Sequence, residues 1–547
     1  GSNYLKLISR RTDRKLGFGV DSNVLPGNRN AFVGIPNDGS DDVYVQHYEW
    51  VAEDVPPDTK LMRLNSKTRD LKSLIPVGSP DGVSTWLLDR NREARVAISG
   101  DRKNKVMVHW RDPATNQWKQ LTSYDSIDPQ GNSFTPIAVD ADGKLLITAI
   151  DPATKQGART SAVFRYDPET GKISDKPLVS VKGYDFDGNV QFDPDSKKLI
   201  GITYESDAQG SIWFDPALKA DQEAVDKLLP GTVNSLSCNR CSGARHLVVH
   251  AYSDRQSPVY FLYERASGKL TLIAASRPWL DSAKMAEQDF VRIKARDGME
   301  FPALVTRPQG KGPFPTVVYV HGGPYVRGEE WGFKSDTQFL ASRGYLVIQP
   351  EYRGSTGYGD TLFRAGWKQW GLKMQDDITD ATKWAIAQGL ADPKRIAIAG
   401  ASYGGYATMM GLVKEPELYK AGINWVGVTD IGLMYEIGWG DFMGGKWMRY
   451  GMPRMIGDQT KDAEQLRATS PLKQAARIKQ PVLMAYGIED TRVPLPHGTK
   501  MRDALKATGN TNVEWVAYEG EGHGWMLLKN KVDFWTRVEN FLGKNVK

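Results

Sequence analysis

Ile396-Ala397-Ile398-Ala399-Gly400-Ala401-Ser402-Tyr403-Gly404-Gly405-Tyr406-Ala407-Thr408-Met409 is the stretch whose reading decides the fold. Its apolar opening, Ile396 to Ala399, predicts a buried strand, and the chain from Tyr406 onward reads as a helix. Ser402 therefore falls on the sharp turn between them, where a Gly-x-Ser-x-Gly nucleophile elbow belongs. Gly400 and Gly404 carry no side chain to clash where strand and helix approach, Gly405 extends the clearance, and the serine hydroxyl is pushed into the open. The bare motif recurs by chance in a chain with 54 glycines. The flanking strand and helix give it weight.

Around this stretch the second half of the chain alternates apolar strands with amphipathic helices. Two strands flank Arg296-Asp297-Gly298, after a short helix over Ser282 to Gln288. Further strands read at Phe314 to Val320, Tyr345 to Gln349, Ile396 to Ala399, Ile423 to Val428, Val482 to Tyr486 and Val513 to Tyr518. Such alternation predicts a doubly wound, mostly parallel sheet with active residues in loops at the strands' carboxyl ends. The strand ending at Tyr486 opens into Gly487-Ile488-Glu489-Asp490-Thr491-Arg492-Val493-Pro494, and the one ending at Tyr518 into Glu519-Gly520-Glu521-Gly522-His523-Gly524. Ser402, Asp490, His523 is the order of an α/β-hydrolase triad. His523 takes the serine proton, and Asp490 fixes the imidazole tautomer and steadies the imidazolium. Glu489 rivals Asp490 as the acid. His497, seven residues past Asp490, rivals His523 but reads better as a solvated loop residue. His321-Gly322-Gly323-Pro324 follows another strand and suits an oxyanion loop joined by the Tyr403 amide. His321 itself reads as a brace for that loop.

Residues 3–277 read differently, as short strands broken by turns. A turn signature recurs at Asn65-Ser66-Lys67-Thr68, Asp112-Pro113-Ala114-Thr115, Asp167-Pro168-Glu169-Thr170, Asp215-Pro216 and Glu264-Arg265-Ala266-Ser267, at spacings of 47, 55, 48 and 49 residues. A period near 50, each unit holding several strands, predicts a β-propeller with one blade per repeat; a sandwich with regular hairpins is the alternative. Five signatures give five blades, six if the irregular start adds one. The expected domains are an all-β propeller over 3–277 and an α/β-hydrolase domain over 278–547, and nothing in the first half looks catalytic.

Composition narrows the function. The 547 residues hold 71 basic and 65 acidic side chains, for a net charge of +6 without a basic block, which sets nucleic acid aside. No window approaches 18 consecutive apolar residues, so no membrane span is expected. The opening Gly1-Ser2 reads as a tag remnant, compatible with a removed signal peptide. The only two cysteines stand together in Cys238-Asn239-Arg240-Cys241, with His246 and His250 following in an apolar strand. Zinc modules separate their ligand pairs more widely, so a local disulfide or two free thiols are the better readings.

Taken together, His321-Gly322-Gly323-Pro324, Tyr352-Arg353-Gly354-Ser355-Thr356-Gly357-Tyr358-Gly359, Gly400-Ala401-Ser402-Tyr403-Gly404-Gly405-Tyr406, Asp490-Thr491-Arg492-Val493-Pro494 and Gly522-His523-Gly524 resemble the prolyl oligopeptidase family of serine peptidases. The likeness is to its acylaminoacyl peptidase and dipeptidyl peptidase branches. It covers the second half closely and the first only in architecture. It implies that Arg492 anchors a substrate carbonyl or carboxylate, against a bare surface ion pair, and that Tyr403, Val428 and Val493 wall the pocket beside the scissile bond. His321 stands where other branches place a tyrosine, which implies a glycine amide, Gly323, in the oxyanion hole. Propellers of the family usually have seven blades, so the resemblance implies that the first ones are diverged or outside this sequence.

The expected activity is hydrolysis of short peptides by a serine peptidase without cofactor or metal, the propeller limiting substrate size. A carboxylesterase of the same fold is the alternative, and a binding protein with a dead hydrolase domain is disfavoured by the complete triad. A homo-oligomer is compatible with the sequence. The compartment stays open between periplasm and cytoplasm, leaning to the periplasm.

Overall fold

From Glu287 onward the chain builds one eight-stranded sheet. In the computed structural model, which describes residues 6–8, 15–17, 30–36, 38–49, 58–131, 133–238, 240–437 and 444–547, its strands are β1 Glu287–Lys294, β2 Glu300–Arg307, β3 Phe314–Val320, β4 Leu346–Pro350, β5 Ala391–Ala401, β6 Ala421–Trp425, β7 Val482–Gly487 and β8 Val513–Tyr518. They lie in the order β1-β2-β4-β3-β5-β6-β7-β8. β1, β2 and β4 pair antiparallel, and every pairing from β4 to β8 is parallel. Parallel strands buried on both faces explain the unbroken apolar runs. Val317, Val347, Ala397, Ile423 and Leu483 belong to one core, while Val318, Ile348, Ile398 and Met484 belong to the core on the other face.

The chain before Ala275 forms antiparallel sheets. Besides the pair Lys6–Ile8 and Lys15–Gly17, the described residues hold four sheets of four strands and one of three, each built from strands consecutive in sequence. In each four-stranded sheet the recurring turn joins the third strand to the fourth: Asn65 ends Asp58–Asn65, Asp112 follows Lys105–Arg111, Asp167 ends Ser161–Asp167 and Glu264 ends Val259–Glu264. The extra blade suggested for the irregular start falls mostly outside the described residues.

Two local expectations need correction, and one left open between two readings is decided. Asp215-Pro216 opens no hairpin. Asp215 accepts from the Ala217 and Leu218 amides, Pro216 takes the first helical position, and a helix Pro216–Leu228 replaces the fourth strand of its sheet. The helix expected over Ser282 to Gln288 stops after the 3₁₀ turn Ser282–Lys284, because Glu287 already pairs with Arg307 in the sheet. Cys238 and Cys241 form a disulfide, His246 lies 3.7 Å from Glu264, and His250 stacks on Tyr260. Asn239 lies outside the described residues.

Candidate active site

Ser402 stands between β5 and the helix Tyr403–Lys414, which starts three residues earlier than the sequence suggested. Its φ of 59° and ψ of −119° place a non-glycine residue in a sparsely populated region, the strain expected of a nucleophile elbow. The surroundings hold it there: the Ser402 amide donates to Trp425 O (3.2 Å), and Ser402 O accepts from the Tyr406 and Val428 amides. A Cβ on Gly404 would lie 2.0 Å from Val320 O, and one on Gly400 2.5 Å from the same oxygen. These glycines let β3 run against the elbow.

Asp490 follows β7 and His523 follows β8. The Arg492 and Val493 amides both donate to Asp490 Oδ1 at 2.9 Å, and His523 Nδ1–H donates to Asp490 Oδ2 at 2.8 Å. Asp490 is buried, so the pair sits where charge is poorly screened. With Nδ1 committed to the acid, Nε2 is the nitrogen left to accept a proton. Among the described residues no hydrogen bond yet joins Ser402 Oγ to His523, and catalytic contacts commonly tighten only when substrate binds. Glu489 is otherwise engaged, accepting the Gly520 amide at 3.2 Å. His497 is no solvated loop residue: it is about 1% exposed in the helix Pro496–Ala507 and accepts the Thr429 amide on Nδ1 (3.2 Å). Burial holds its pKa down to about 4.

The loop after β3 carries the oxyanion candidates. A Cβ on Gly322 would meet Ser402 Cβ at 3.3 Å and Oγ at 3.9 Å, so the loop passes directly beside the nucleophile. Gly323 has a φ of 120°, open to glycine and strained for other residues. Tyr403, the other candidate, offers its amide from the first turn of its helix. His321 braces the loop: Nδ1–H donates to Gly322 O (2.7 Å), Nε2 lies 3.1 Å from Ser355 Oγ, and the ring stacks on Tyr352, whose hydroxyl donates to His321 O (2.9 Å). Burial lowers its pKa, which suits a neutral ring in a structural role.

Beside these loops lies a cavity of about 530 Å³ whose walls include Gly323, Tyr325, Phe363, Trp370, Trp447 and Arg492, together with Ser126 and Ile127 from the antiparallel half. Among the described residues that line it, Arg492 alone is charged. Tyr403, Val428 and Val493, expected as walls, are each about 1% exposed and belong to the core. Tyr403 stands one layer behind, packed edge-on against Trp370 with ring centres 4.6 Å apart. The aromatic walls escaped the sequence reading because they come from separate segments; Tyr325, directly after Gly323-Pro324, was the one with a usable signal. Two residues of the first half, Ser126 and Ile127, thus line this cavity.

Residues 331–547 match the sequence model of the prolyl oligopeptidase family. This segment belongs to that family. Over 451 residues the chain is 33% identical to dipeptidyl aminopeptidase BIII of Pseudoxanthomonas mexicana, a match covering 79% of this chain and 62% of the relative. It is 29% identical over 515 residues to dipeptidyl peptidase family member 6 of Caenorhabditis elegans, covering 87% of this chain and 67% of the relative. The chain thus spans about two thirds of these curated relatives' length. The solved structure of a Mycobacterium tuberculosis puromycin-hydrolyzing peptidase superposes with a TM-score of 0.71 at 18% identity, covering 99% of this chain and 86% of the other, a likeness of fold.

Proposed function

We propose that this protein is a serine peptidase that cleaves short peptides through an acyl-enzyme on Ser402. The observation that carries the reading is the Asp490–His523 pair, 2.8 Å apart, on strand ends of the sheet that also presents Ser402 in its strained turn. His523 Nε2 takes the serine proton during attack and returns it to the leaving amine, while Asp490 steadies the imidazolium. The Tyr403 and Gly323 amides receive the oxyanion. Arg492, as the charged group of an otherwise mostly apolar cavity, favours a substrate with a peptide backbone over a plain ester.

In this reading residues 3–277 are a propeller and 278–547 the hydrolase domain. The repeated sheet order supports it, and so do the contacts between the halves. Turns joining second to third strands reach the larger sheet's loops: Tyr450 OH donates to Arg102 O (3.0 Å), and the Trp331 amide donates to Asp207 O (3.3 Å). The recurrent signature turns lie at the opposite ends of the third strands. A propeller so placed covers the site and admits short chains.

The relatives' names make a free amino-terminal dipeptide the first substrate form to test. A chromogenic panel of free dipeptide, blocked amino acid and plain ester distinguishes dipeptidyl peptidase, acylaminoacyl peptidase and carboxylesterase. A fluorophosphonate probe is expected to label Ser402, and Ser402→Ala to lower turnover by about 10⁶-fold with the melting temperature unchanged. Labelling of another serine, or turnover of the ester alone, overturns the reading.

A further inference from the structure

We propose that Glu351 is a positioning residue for the oxyanion loop, its carboxylate fastening the return of the segment that carries Gly322 and Gly323 past Ser402. The proposal rests on reading Ser402 as the nucleophile and Gly323 as an oxyanion donor. Glu351 directly follows β4 and is fully buried. Its own amide donates to Pro302 O of β2 at 2.8 Å, so its backbone is part of a rigid platform. From there its two oxygens accept separate backbone donors of the loop: Oε2 from the Gly328 amide at 3.1 Å and Oε1 from the Glu329 amide at 2.6 Å. His321 Nε2 lies 3.5 Å from Oε2, and Ser355 Oγ lies 3.1 Å from the same nitrogen. A Cβ on Gly328 would fall 2.1 Å from the His321 ring. The returning strand of the loop is therefore laid flat on the histidine that starts it, and Glu351 clamps that closure.

A carboxylate with a lone-pair acceptor facing each amide does this better than any neutral group. Protonation turns one acceptor into a hydroxyl and weakens one of the two bonds. Burial pushes the Glu351 carboxyl up to about 7 and that of its neighbour Glu329 to about 7 as well. The groups facing Glu351 are Glu329 and Arg327 of the same loop, His321 at its start, and Tyr352, Ser355 and Tyr358 of the segment after it. Arg327 favours the ionised form, and the backbone and Ser355 hydrogen bonds favour it too; burial opposes them. The two hydrogen bonds from the loop amides are thus stronger to the ionised carboxylate, above neutral pH, than to the protonated one, although burial makes the ionised form costlier to hold.

The test compares the parent with Glu351→Gln, which keeps the shape but turns an amide NH₂ toward one of the two backbone donors. Because the oxyanion hole serves every acyl substrate, E351Q is expected to lower kcat about ten- to a hundredfold on both a peptide substrate and a p-nitrophenyl ester, with KM within about twofold. The acid limb of log kcat is expected to be steeper in the parent than in E351Q, where protonation at position 351 no longer contributes. Glu351→Asp, which keeps the charge, recovers part of the loss. Unchanged kcat in E351Q, a loss confined to KM, or an unaltered limb overturns the proposal. Should E351Q fail to fold, Ser355→Ala carries the test through the same bonds, with a kcat loss of about three- to tenfold expected and full activity overturning it. Fluorophosphonate labelling of the parent separates the two readings. No label on Ser402 removes the nucleophile assignment itself, whereas a labelled parent with a fully active E351Q removes Glu351 alone.

Discussion

The two loops proposed to serve Ser402 are built on opposite plans. After β7, the acid is held by its own backbone: the Asp490 carboxylate accepts the amides two and three residues further on, and a single bond to His523 completes the arrangement. After β3, the loop from His321 to Gly332 is fixed from far away in the chain. Tyr352, Ser355 and Glu351 hold its start and return, Arg327 donates to Ser206 O, and the Trp331 amide donates to Asp207 O of the antiparallel half. The acid-base side is self-contained, whereas the oxyanion side depends on the rest of the molecule. Changes in the first half should therefore reach catalysis through the oxyanion loop.

The largest effect tests the self-contained side. Asp490→Asn keeps the two amide contacts on Oδ1 but presents an NH₂ to His523 Nδ1, so the imidazole is driven to the wrong tautomer. A fall of about 10⁴-fold in kcat is expected on peptide and ester alike, with unfolding by urea unchanged. A loss under tenfold would show that another carboxylate orients the base and would remove the contrast between the two loops.

Arg492 stands on the same loop but faces the cavity, and its effect should be smaller and selective. A charge-assisted hydrogen bond to a substrate carbonyl or carboxylate is worth about 1.5 to 3 kcal/mol, roughly ten- to over a hundredfold. Arg492→Ala is expected to lower kcat/KM for a peptide by about that factor and leave a p-nitrophenyl ester almost untouched. Lysine should restore little, because a point charge lacks the planar fork. Equal losses on both substrates would mean that the side chain braces the Asp490 turn instead.

How much of this was legible obeys the same division. The elbow could be read because its constraints are local: small residues at Gly400 and Gly404 answer a clash with the neighbouring strand, and the flanking periodicities name strand and helix. Asp490 and His523 could be read because each lies just past the end of a strand. The strand expected over Ile423 to Val428 ends at Trp425, since Val426 takes a φ of 44° and turns the chain toward the site. Asp112-Pro113 and Asp215-Pro216 share their letters, but the residues after them send the chain in different directions. Asn116 adopts a φ of 59° and closes a hairpin, whereas Ala217-Leu218-Lys219-Ala220 continues as a helix. The Glu351 clamp and the aromatic cavity walls were not legible, because no local pattern marks residues that meet only through the tertiary fold.

His497 gives the smallest expected effect on turnover and the sharpest check that the histidines are sorted correctly. Its Nδ1 accepts the Thr429 amide, and Thr429 Oγ1 donates to His497 O at 2.7 Å, so its role is to join the helix Pro496–Ala507 to the segment after β6. His497→Asn places an amide oxygen where Nδ1 stood and should leave kcat within about threefold of the parent. Its signature is in stability. Burial holds the folded pKa to about 4, below the roughly 6.5 of a histidine in an unfolded chain. Between those values the unfolded chain binds more protons, so stability rises with pH across the window and is lost as pH falls toward 4. The contribution is at most about 3 kcal/mol, complete above pH 6.5. Glu205, Glu329 and Glu351, each pushed up to about 7 by burial, act in the opposite sense and lose stability as pH rises over much of the same range. The stability difference between parent and variant cancels them. Urea unfolding at intervals from pH 4 to 7.5 should therefore show the parent gaining on H497N as pH rises. A flat difference would mean that His497 is not held neutral by its surroundings. Loss of turnover on the scale of Asp490→Asn would reopen the choice of base between His497 and His523.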